Sequence, residues 1–297
     1  MTFETLECEK SEGILTITLS RPKKLNAFTI RMADELVDAF DLASKDDEIA
    51  AIIVTGSGRA FCAGMDLTVA GNAFGLDTTL DPSTASVDGW LDDRGLAGIQ
   101  DSGGRVALSI YGCTKPVIAA INGAAIGVGA TMTLPMDIRL CTPAARIGFV
   151  FGRLGIVPEA CSTWFLPRIV GLDRALELAY RADILTAEEA REFGLVRNIV
   201  PEGELLSTAR AQAKKFTSNR SPVATALTRQ MMYRNSAERH PVAAHKVDSL
   251  AMFYTSIGDG AEGVAAFLEK REPRFSTSVV TDMPPFYPWQ PDLPPAK

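Results

Sequence analysis

The chain has 297 residues, 46% of them hydrophobic, which is enough for one substantial core or a core with an appendage. Its 30 basic and 36 acidic residues give a net charge of -6 with mixed signs, a balance that argues against a nucleic-acid partner. The sequence contains no run of about 18 apolar residues and no N-terminal signal pattern, so we predict a cytoplasmic protein without a membrane span.

The cysteines and histidines give no sign of a metal or redox site. The five cysteines are scattered without a C-x-x-C pair, which is typical of reduced core residues in a cytoplasmic protein. The two histidines, His240 and His245, lie five residues apart and would not share a helix face well. No nicotinamide, flavin or metal motif is present, so we expect no metal and no permanently bound cofactor.

The first two thirds of the chain alternate short apolar runs with helical patterns. The apolar runs predict strands at residues 4–8, 14–19, 51–54, 117–121, 137–141 and 146–148. Helices are predicted at residues 30–44, with Thr29 as the N-cap, and at residues 105–111. Strands separated by helices predict an α/β fold of repeated ββα units arranged as a spiral of sheets.

Helical patterns dominate the C-terminal third. Amphipathic helices are predicted at residues 205–216, 223–232 and 247–253, and residues 260–270 are expected to close the packed part. We therefore divide the chain into a core over residues 1–200, a helical region over 201–272 and a proline-rich tail over 273–297 that favours an extended conformation. Residues 71–104, rich in Gly, Asp, Ser and Thr, form the one long irregular stretch, and a loop of this length is usually functional or disordered.

Two segments rich in Gly and Ala carry the strongest chemical signal. They are residues 61–67 and 121–130, which follow the apolar runs at 51–54 and 117–121, and the second is predicted to open a helix through Leu134. Small residues let the backbone turn tightly, and a helix N-terminus leaves N–H groups without partners. Two such turns that converge would form a pocket of donors able to hold a developing oxyanion.

Several ordered motifs resemble those of the crotonase superfamily, also called enoyl-CoA hydratase/isomerase. The motifs are Arg21-Pro-Lys-Lys-Leu-Asn-Ala27, Ala60-Phe-Cys-Ala-Gly-Met-Asp-Leu67, Asn122-Gly-Ala-Ala-Ile-Gly-Val-Gly129, Asp137-Ile-Arg139 and Leu154-Gly-Ile-Val-Pro158. The resemblance implies the crotonase spiral fold, a substrate that is a thioester of coenzyme A, and an enolate intermediate. It also implies an oxyanion hole from the backbone N–H groups of Met65 and Val128. The family usually has Gly at the position of Val128, whose branched side chain would narrow the acyl pocket.

The same resemblance implies contacts with the substrate and with other copies of the chain. The residues placed against the CoA ester are Lys24, Leu25, Ala27, Ala63, Met65, Asp66, Leu67 and Val128. The C-terminal helical region is expected to assemble a homo-trimer or hexamer. For Asp66 the alternative is a structural role in ordering its loop.

The catalytic acids of the family are only partly present. Its hydratases use two glutamates, and at these positions the chain has Thr131 and Phe151. Glu159 resembles in position the single glutamate of peroxisomal-type enoyl-CoA isomerases. A carboxylate in an apolar site has a raised pKa that suits proton shuttling, and Phe151, Trp164 and Met65 would provide the apolar walls. The alternative for Glu159 is a capping role at the start of a helix.

These observations predict an enoyl-CoA isomerase in which Glu159 is the base, with Met65 and Val128 as the oxyanion donors. Two alternatives stay open at this point. One is an enoyl-CoA hydratase with an atypical site that uses Glu159 alone. The other is a protein that binds CoA thioesters and has lost its chemistry.

Overall fold

The computed structural model describes residues 2–68, 73–83 and 98–289. Parts of the predicted 71–104 loop, namely residues 71–72 and 84–97, lie outside these ranges, as do residues 290–297 of the predicted tail. The described strands are β1 (Leu6–Ser11), β2 (Ile14–Leu19), β3 (Ala51–Gly56), β4 (Ala60–Cys62), β5 (Val117–Ile121), β6 (Ala124–Ile126), β7 (Ile138–Cys141), β8 (Arg146–Gly148), β9 (Ile184–Thr186) and β10 (Asn198–Ile199).

The described helices alternate with the strands and then follow one another in the C-terminal third. They are α1 (Ile30–Ser44), α2 (Ser102–Gly112), α3 (Val128–Thr131), α4 (Ser162–Val170), α5 (Leu172–Arg181), α6 (Ala187–Glu192), α7 (Leu205–Thr217), α8 (Pro222–Asn235), α9 (Pro241–Ile257) and α10 (Asp259–Glu269). The architecture is α/β, as the sequence predicts. Within the described ranges, none of these helices is both long and apolar enough to cross a bilayer.

The larger sheet has the strand order β1-β2-β3-β5-β7-β10 and forms the centre of the molecule. The predicted hairpin is confirmed as the antiparallel pair β1 and β2, and the strands that follow are parallel. Both faces of the sheet are covered, since Ile52 and Val54 point into one apolar cluster while Ala51 and Ile53 point into another with α7. Burial on both faces is the reason why the predicted strands are continuous apolar runs.

The smaller sheet, with the order β4-β6-β8-β9, lies nearer to the candidate site. All four of its strands are three residues long, too short to carry a period of their own, and the sequence analysis predicted only β8 among them. These short strands change one expectation. The two Gly-rich turns directly follow β4 and β6, whereas the runs that were predicted to lead into them, β3 and β5, belong to the larger sheet.

Two helix boundaries near the turns differ from the predictions. The α-helix expected to run through Leu134 ends at Thr131, and i to i+3 bonds such as Leu134 N to Thr131 O continue the turn as far as Pro135. Helix α2 begins at Ser102, so the last residues of the predicted loop are helical. The N-cap of α1 is confirmed, since the Thr29 side chain accepts from the N–H of Met32 at 3.1 Å.

The C-terminal helices are joined to the sheet through a buried cation on α8. The Arg229 guanidinium donates to the Asp137 carboxylate at 3.0 Å and to the carbonyl of Ile110 at 2.9 Å. Asp137 also accepts from the N–H of Val117 at 2.8 Å, at the start of β5. A buried ion pair that also satisfies backbone groups fixes the position of α8 relative to the core.

The described part of the tail, residues 273–289, contains neither a helix nor a strand, but it packs against the helical region. Met283, Phe286 and Tyr287 contact a small apolar cluster on α8 and α9. The Asp47 carboxylate, in the loop before β3, accepts from the backbone N–H of Val279 at 3.0 Å. The described part of the tail is therefore irregular, and it is held to the body by specific contacts.

Candidate active site

The two Gly-rich turns meet because they leave adjacent parallel strands, β4 and β6, at the same edge of the smaller sheet. A Cβ atom on Gly129 would collide with the carbonyl oxygen of Cys62. A Cβ on Gly64 would lie 3.2 Å from the carbonyl oxygen of Ile126, and Gly64 has a φ of +102° that disfavours other residues. The small residues therefore let the two turns pack backbone against backbone.

The N–H groups of Met65 and Val128 are left free by this packing. The N–H of Phe28 donates to Gly64 O at 2.7 Å, and the N–H of Asp66 donates to Phe28 O at 2.8 Å, so the Met65 N–H points to the other side. Among the described residues, neither the Met65 N–H nor the Val128 N–H has an acceptor. Both residues line one cavity, so the arrangement can hold an oxyanion.

This cavity has a volume of about 620 Å³ and is mainly apolar. Its apolar walls are formed by Met65, Leu67, Phe74, Leu76, Ile126, Val128, Val150, Phe151, Leu154, Ile156 and Val157. Among the described residues, the polar side chains in its lining are those of Asp101, Ser102 and Glu159. The predicted walls Phe151 and Met65 are present. Trp164 is not part of the lining, because it packs on Tyr111 and Phe165.

Glu159 lies in the wall of the cavity, surrounded by protein on most sides but with part of its surface open. Its Oε1 accepts a hydrogen bond from the Thr131 hydroxyl at 2.6 Å. Burial raises the pKa of the Glu159 carboxyl to about 8; the Thr131 bond opposes this rise and the nearby Asp101 carboxylate adds to it. The alternative of a capping role is not supported, because α4 begins at Ser162 without a side-chain cap.

Asp101 is a site residue that the sequence analysis missed. It is the N-cap of α2, where its Oδ1 accepts from the N–H of Gly104, and the same oxygen accepts from the N–H of Ala160 at 3.1 Å. An Asp directly before the first residue of a helix is a capping signal, but the Gly-rich composition of 71–104 concealed it. The neighbouring hydroxyl of Ser102 is buried and has no hydrogen-bond partner among the described residues.

Gly103, the second residue of α2, makes room for the Glu159 carboxyl. A Cβ at this position would collide with Glu159 Oε2 and would lie 3.0 Å from Val128 Cγ2. The Val128 side chain thus lies beside the acid, where the sequence predicts that it narrows the acyl pocket. No composition or spacing rule identifies Gly103, because its role arises from a contact with a segment far along the chain.

The segment expected to contact CoA lies beside the first turn. Lys24 is exposed at the end of a 3-10 helix, and the carbonyl of Leu25 accepts from the N–H of Ala63 at 3.1 Å. Asn26, a second residue that the sequence analysis missed, is buried and donates to the carbonyls of Ser57 and Ala60, both at 2.8 Å. These bonds bring Lys24, Leu25 and Ala27 to the same side of the molecule as Ala63.

Asp66 has its carboxylate engaged within the protein. It accepts from the Thr68 hydroxyl at 2.6 Å and from the Arg21 guanidinium at 2.8 Å. The hydrogen bonds from Thr68 and Arg21 lower the pKa of Asp66 to about 2. These contacts fit the alternative role of ordering the loop, while the adjacent Leu67, 55% exposed, lines the cavity.

The site has the character of an acid–base centre. Within the described ranges, no group of three or more His, Cys, Asp or Glu side chains is placed to hold a metal ion. The five cysteines are free, and Cys62, Cys113 and Cys141 are buried in the core. Glu159 lines the same cavity as the two backbone N–H groups, an arrangement suited to proton transfer.

Comparisons with known proteins find relatives that match most of the chain. The family model described as enoyl-CoA hydratase/isomerase matches residues 9–91 and 96–278. The chain is 39% identical over 273 residues to the enoyl-CoA hydratase ACTT3 of Alternaria alternata, covering 91% of this chain and 85% of the relative. It is 34% identical over 268 residues to the 1,2-epoxyphenylacetyl-CoA isomerase of Escherichia coli K12, covering 89% and 95%.

Solved structures of enoyl-CoA hydratases are also similar to this chain. The crystal structure of an enoyl-CoA hydratase from Mycobacterium smegmatis superposes with a TM-score of 0.76 and 27% identity, covering 92% of this chain and 100% of that one. The family model and the two relatives each cover most of the chain. This protein therefore belongs to the enoyl-CoA hydratase/isomerase family and has the crotonase fold.

Proposed function

We propose that this acyl-CoA enzyme moves the double bond of an enoyl-CoA, with Glu159 as the base. One observation carries the proposal: the Glu159 carboxyl, with a pKa raised to about 8, faces the cavity that the Met65 and Val128 N–H groups line. A single acid–base group of this kind is what double-bond migration requires. Thr131 and Phe151, at the positions of the usual hydratase glutamates, supply no second carboxylate.

The proposed steps follow from these positions. Glu159 takes a proton from C2 of a 3-enoyl-CoA, and the C–H electrons delocalise onto the thioester oxygen. The N–H groups of Met65 and Val128 hold the resulting dienolate oxygen. Glu159 then returns its proton to C4, and the electrons move back to form the C2–C3 double bond. The Thr131 hydroxyl keeps Oε1 in place during the transfer.

Hydration is the second candidate, and one observation favours it. Asp101 places another carboxyl beside Glu159 in the cavity lining, so one acid could activate water while the other protonates carbon. The relatives include proteins named as hydratases as well as one named as an isomerase. We rank isomerisation first because the Asp101 oxygen that accepts from Gly104 and Ala160 is already occupied by backbone donors.

Product analysis separates the candidates. The purified protein is incubated with matched 2-enoyl-CoA and 3-enoyl-CoA esters of several chain lengths, and the products are resolved by chromatography and mass spectrometry. We expect 3-enoyl esters to become 2-enoyl esters of the same mass. Gain of one water with no isomerisation would favour hydration, and tight binding without any turnover would leave a CoA-thioester binding protein.

The same proposal includes coenzyme A as the carrier part of the substrate. In this proposal Lys24, which is exposed at the end of its 3-10 helix, meets a CoA phosphate while the 63–67 turn holds the thioester. A Lys24→Ala variant should raise KM for the CoA ester and leave kcat unchanged, because a phosphate contact remote from the reacting atoms contributes equally before and during the reaction.

We also propose that the chain forms a homo-trimer or hexamer. In the single chain, large apolar side chains of α8, α9 and α10 are exposed, with Phe267 at 83% and Met232 at 74%. An apolar surface of this kind is typical of a subunit interface. Light scattering at micromolar concentration should give three or six times the 31.9 kDa mass of one chain. A mass equal to that of one chain would refute the assembly.

A further inference from the structure

We propose that Asp101 is a positioning residue for Glu159, setting both where the Glu159 carboxyl points and when it is charged. The inference rests on the proposed role of Glu159 as the base. It assigns a function to a residue that the motifs of the sequence do not mark. Asp101 lines the cavity but acts on the reaction only through its neighbour.

The geometry places Asp101 between two segments of the site. Its Oδ1 accepts from the Gly104 N–H, at the N-terminus of α2, and from the Ala160 N–H at 3.1 Å, directly after Glu159. Ala160 and Cys161 both have left-handed backbone conformations, with φ of 57° and 54°. Such conformations persist only where the surroundings hold them, and the bond to Asp101 is one such restraint.

The charge of Asp101 acts on Glu159 at short range. Asp101 lies close to Glu159, since it accepts from the N–H of the next residue, Ala160, and its negative charge disfavours ionisation of Glu159 in addition to the effect of burial. Among the described residues, the other titratable groups that interact with the pair are the thiols of Cys62 and Cys161. Burial raises the pKa of Cys62 to about 12 and that of Cys161 to about 11, so both thiols are neutral at physiological pH.

A structural role and a positioning role of Asp101 make different predictions. Asn or Ser at the N-cap position stabilises a helix about as well as Asp. A purely structural role therefore predicts that Asp101→Asn behaves like the wild type at every pH. The positioning role predicts that the same variant, with its cap retained and its charge removed, ionises Glu159 at lower pH.

The test measures the ionisation of Glu159 directly. The full-length protein is labelled with glutamate carrying ¹³C at the carboxyl carbon, and the Glu159 resonance is identified by its absence in Glu159→Gln. Its titration is then compared between the wild type and Asp101→Asn. We expect the midpoint to fall by on the order of one pH unit in Asp101→Asn. Asp101→Ser, which also retains a cap, should shift it in the same direction.

Two further variants act as controls. Asp34→Asn removes a carboxylate that is paired with Arg105 of the same helix α2 at 2.8 Å, and it should leave the midpoint unchanged. Thr131→Val removes the hydrogen bond that favours the charged form of Glu159, so its midpoint should rise. Opposite shifts from Asp101 and Thr131 would show that each acts on Glu159 in the way that the geometry indicates.

The pH dependence of turnover completes the experiment. In Asp101→Asn the pH at which kcat/KM rises should fall by the same amount as the NMR midpoint. A midpoint equal to that of the wild type would overturn the inference, and so would a lower rate at every pH with no shift of the pH profile. If the wild type converts no enoyl-CoA, the proposed function fails, and the NMR titration still decides whether Asp101 controls Glu159.

Discussion

Replacement of Glu159 by Gln is expected to lower turnover of the native substrate by about 10² to 10⁴, the usual cost of losing a general base. In the wild type the Thr131 hydroxyl donates to Glu159 Oε1 at 2.6 Å. Gln has nearly the same shape as Glu, and its amide oxygen can accept the same hydrogen bond. The cavity should therefore remain intact, so the affinity for a CoA ester should change little. Steady-state kinetics and calorimetric titration with a saturated acyl-CoA measure the two quantities separately.

The raised pKa of Glu159 also predicts how turnover depends on pH. Because the pKa of Glu159 is raised to about 8, the base form is the minor one at neutral pH, and turnover should rise with pH through about 8. In Glu159→Gln the residual turnover should not increase with pH in this way. Glu177→Gln, which alters an exposed glutamate paired with Arg181 on α5, is the matched control and should behave as the wild type. Near-normal turnover in Glu159→Gln would remove Glu159 from the mechanism.

Replacement of Gly103 by Ala is expected to lower turnover by on the order of a hundredfold without unfolding the protein. The new Cβ would occupy the space of Glu159 Oε2, so the carboxyl must move, and a displacement of about 1 Å can cost about this much. Ala is intrinsically better than Gly in a helix by about 1 kcal/mol, which offsets part of the strain. Thermal unfolding and kinetics on the same preparation separate the two effects.

The same helix offers a control for this substitution. Gly112, the last residue of α2, has open space where a Cβ would be added. Gly112→Ala should therefore retain full turnover and a similar melting temperature. If Gly103→Ala were as active as Gly112→Ala, the Glu159 carboxyl could not occupy its described position during catalysis.

Much of the architecture was predictable from the sequence because it rests on local patterns. The apolar runs that became β2, β3 and β5 are buried on both faces, so hydrophobicity alone identifies them. The two Gly-rich turns were also visible, since only small residues allow backbone segments to approach so closely. Glu159 stood out because it follows a recognisable motif, and the structure places it in the predicted cavity.

Other features depended on contacts between segments that lie far apart in the chain. The sequence by itself determined the α/β class and the two Gly-rich turns, and its family resemblance indicated Glu159 as the candidate acid. Only the tertiary structure showed that Asp101 accepts from the N–H of Ala160, 59 positions away. It also showed that the Thr131 hydroxyl donates to Glu159, 28 positions away. The physical reason is that a short strand or a single polar side chain carries no periodic signal. Its role is set by the groups that folding brings within hydrogen-bond distance, and in this protein those contacts place Asp101 and Thr131 beside the proposed base.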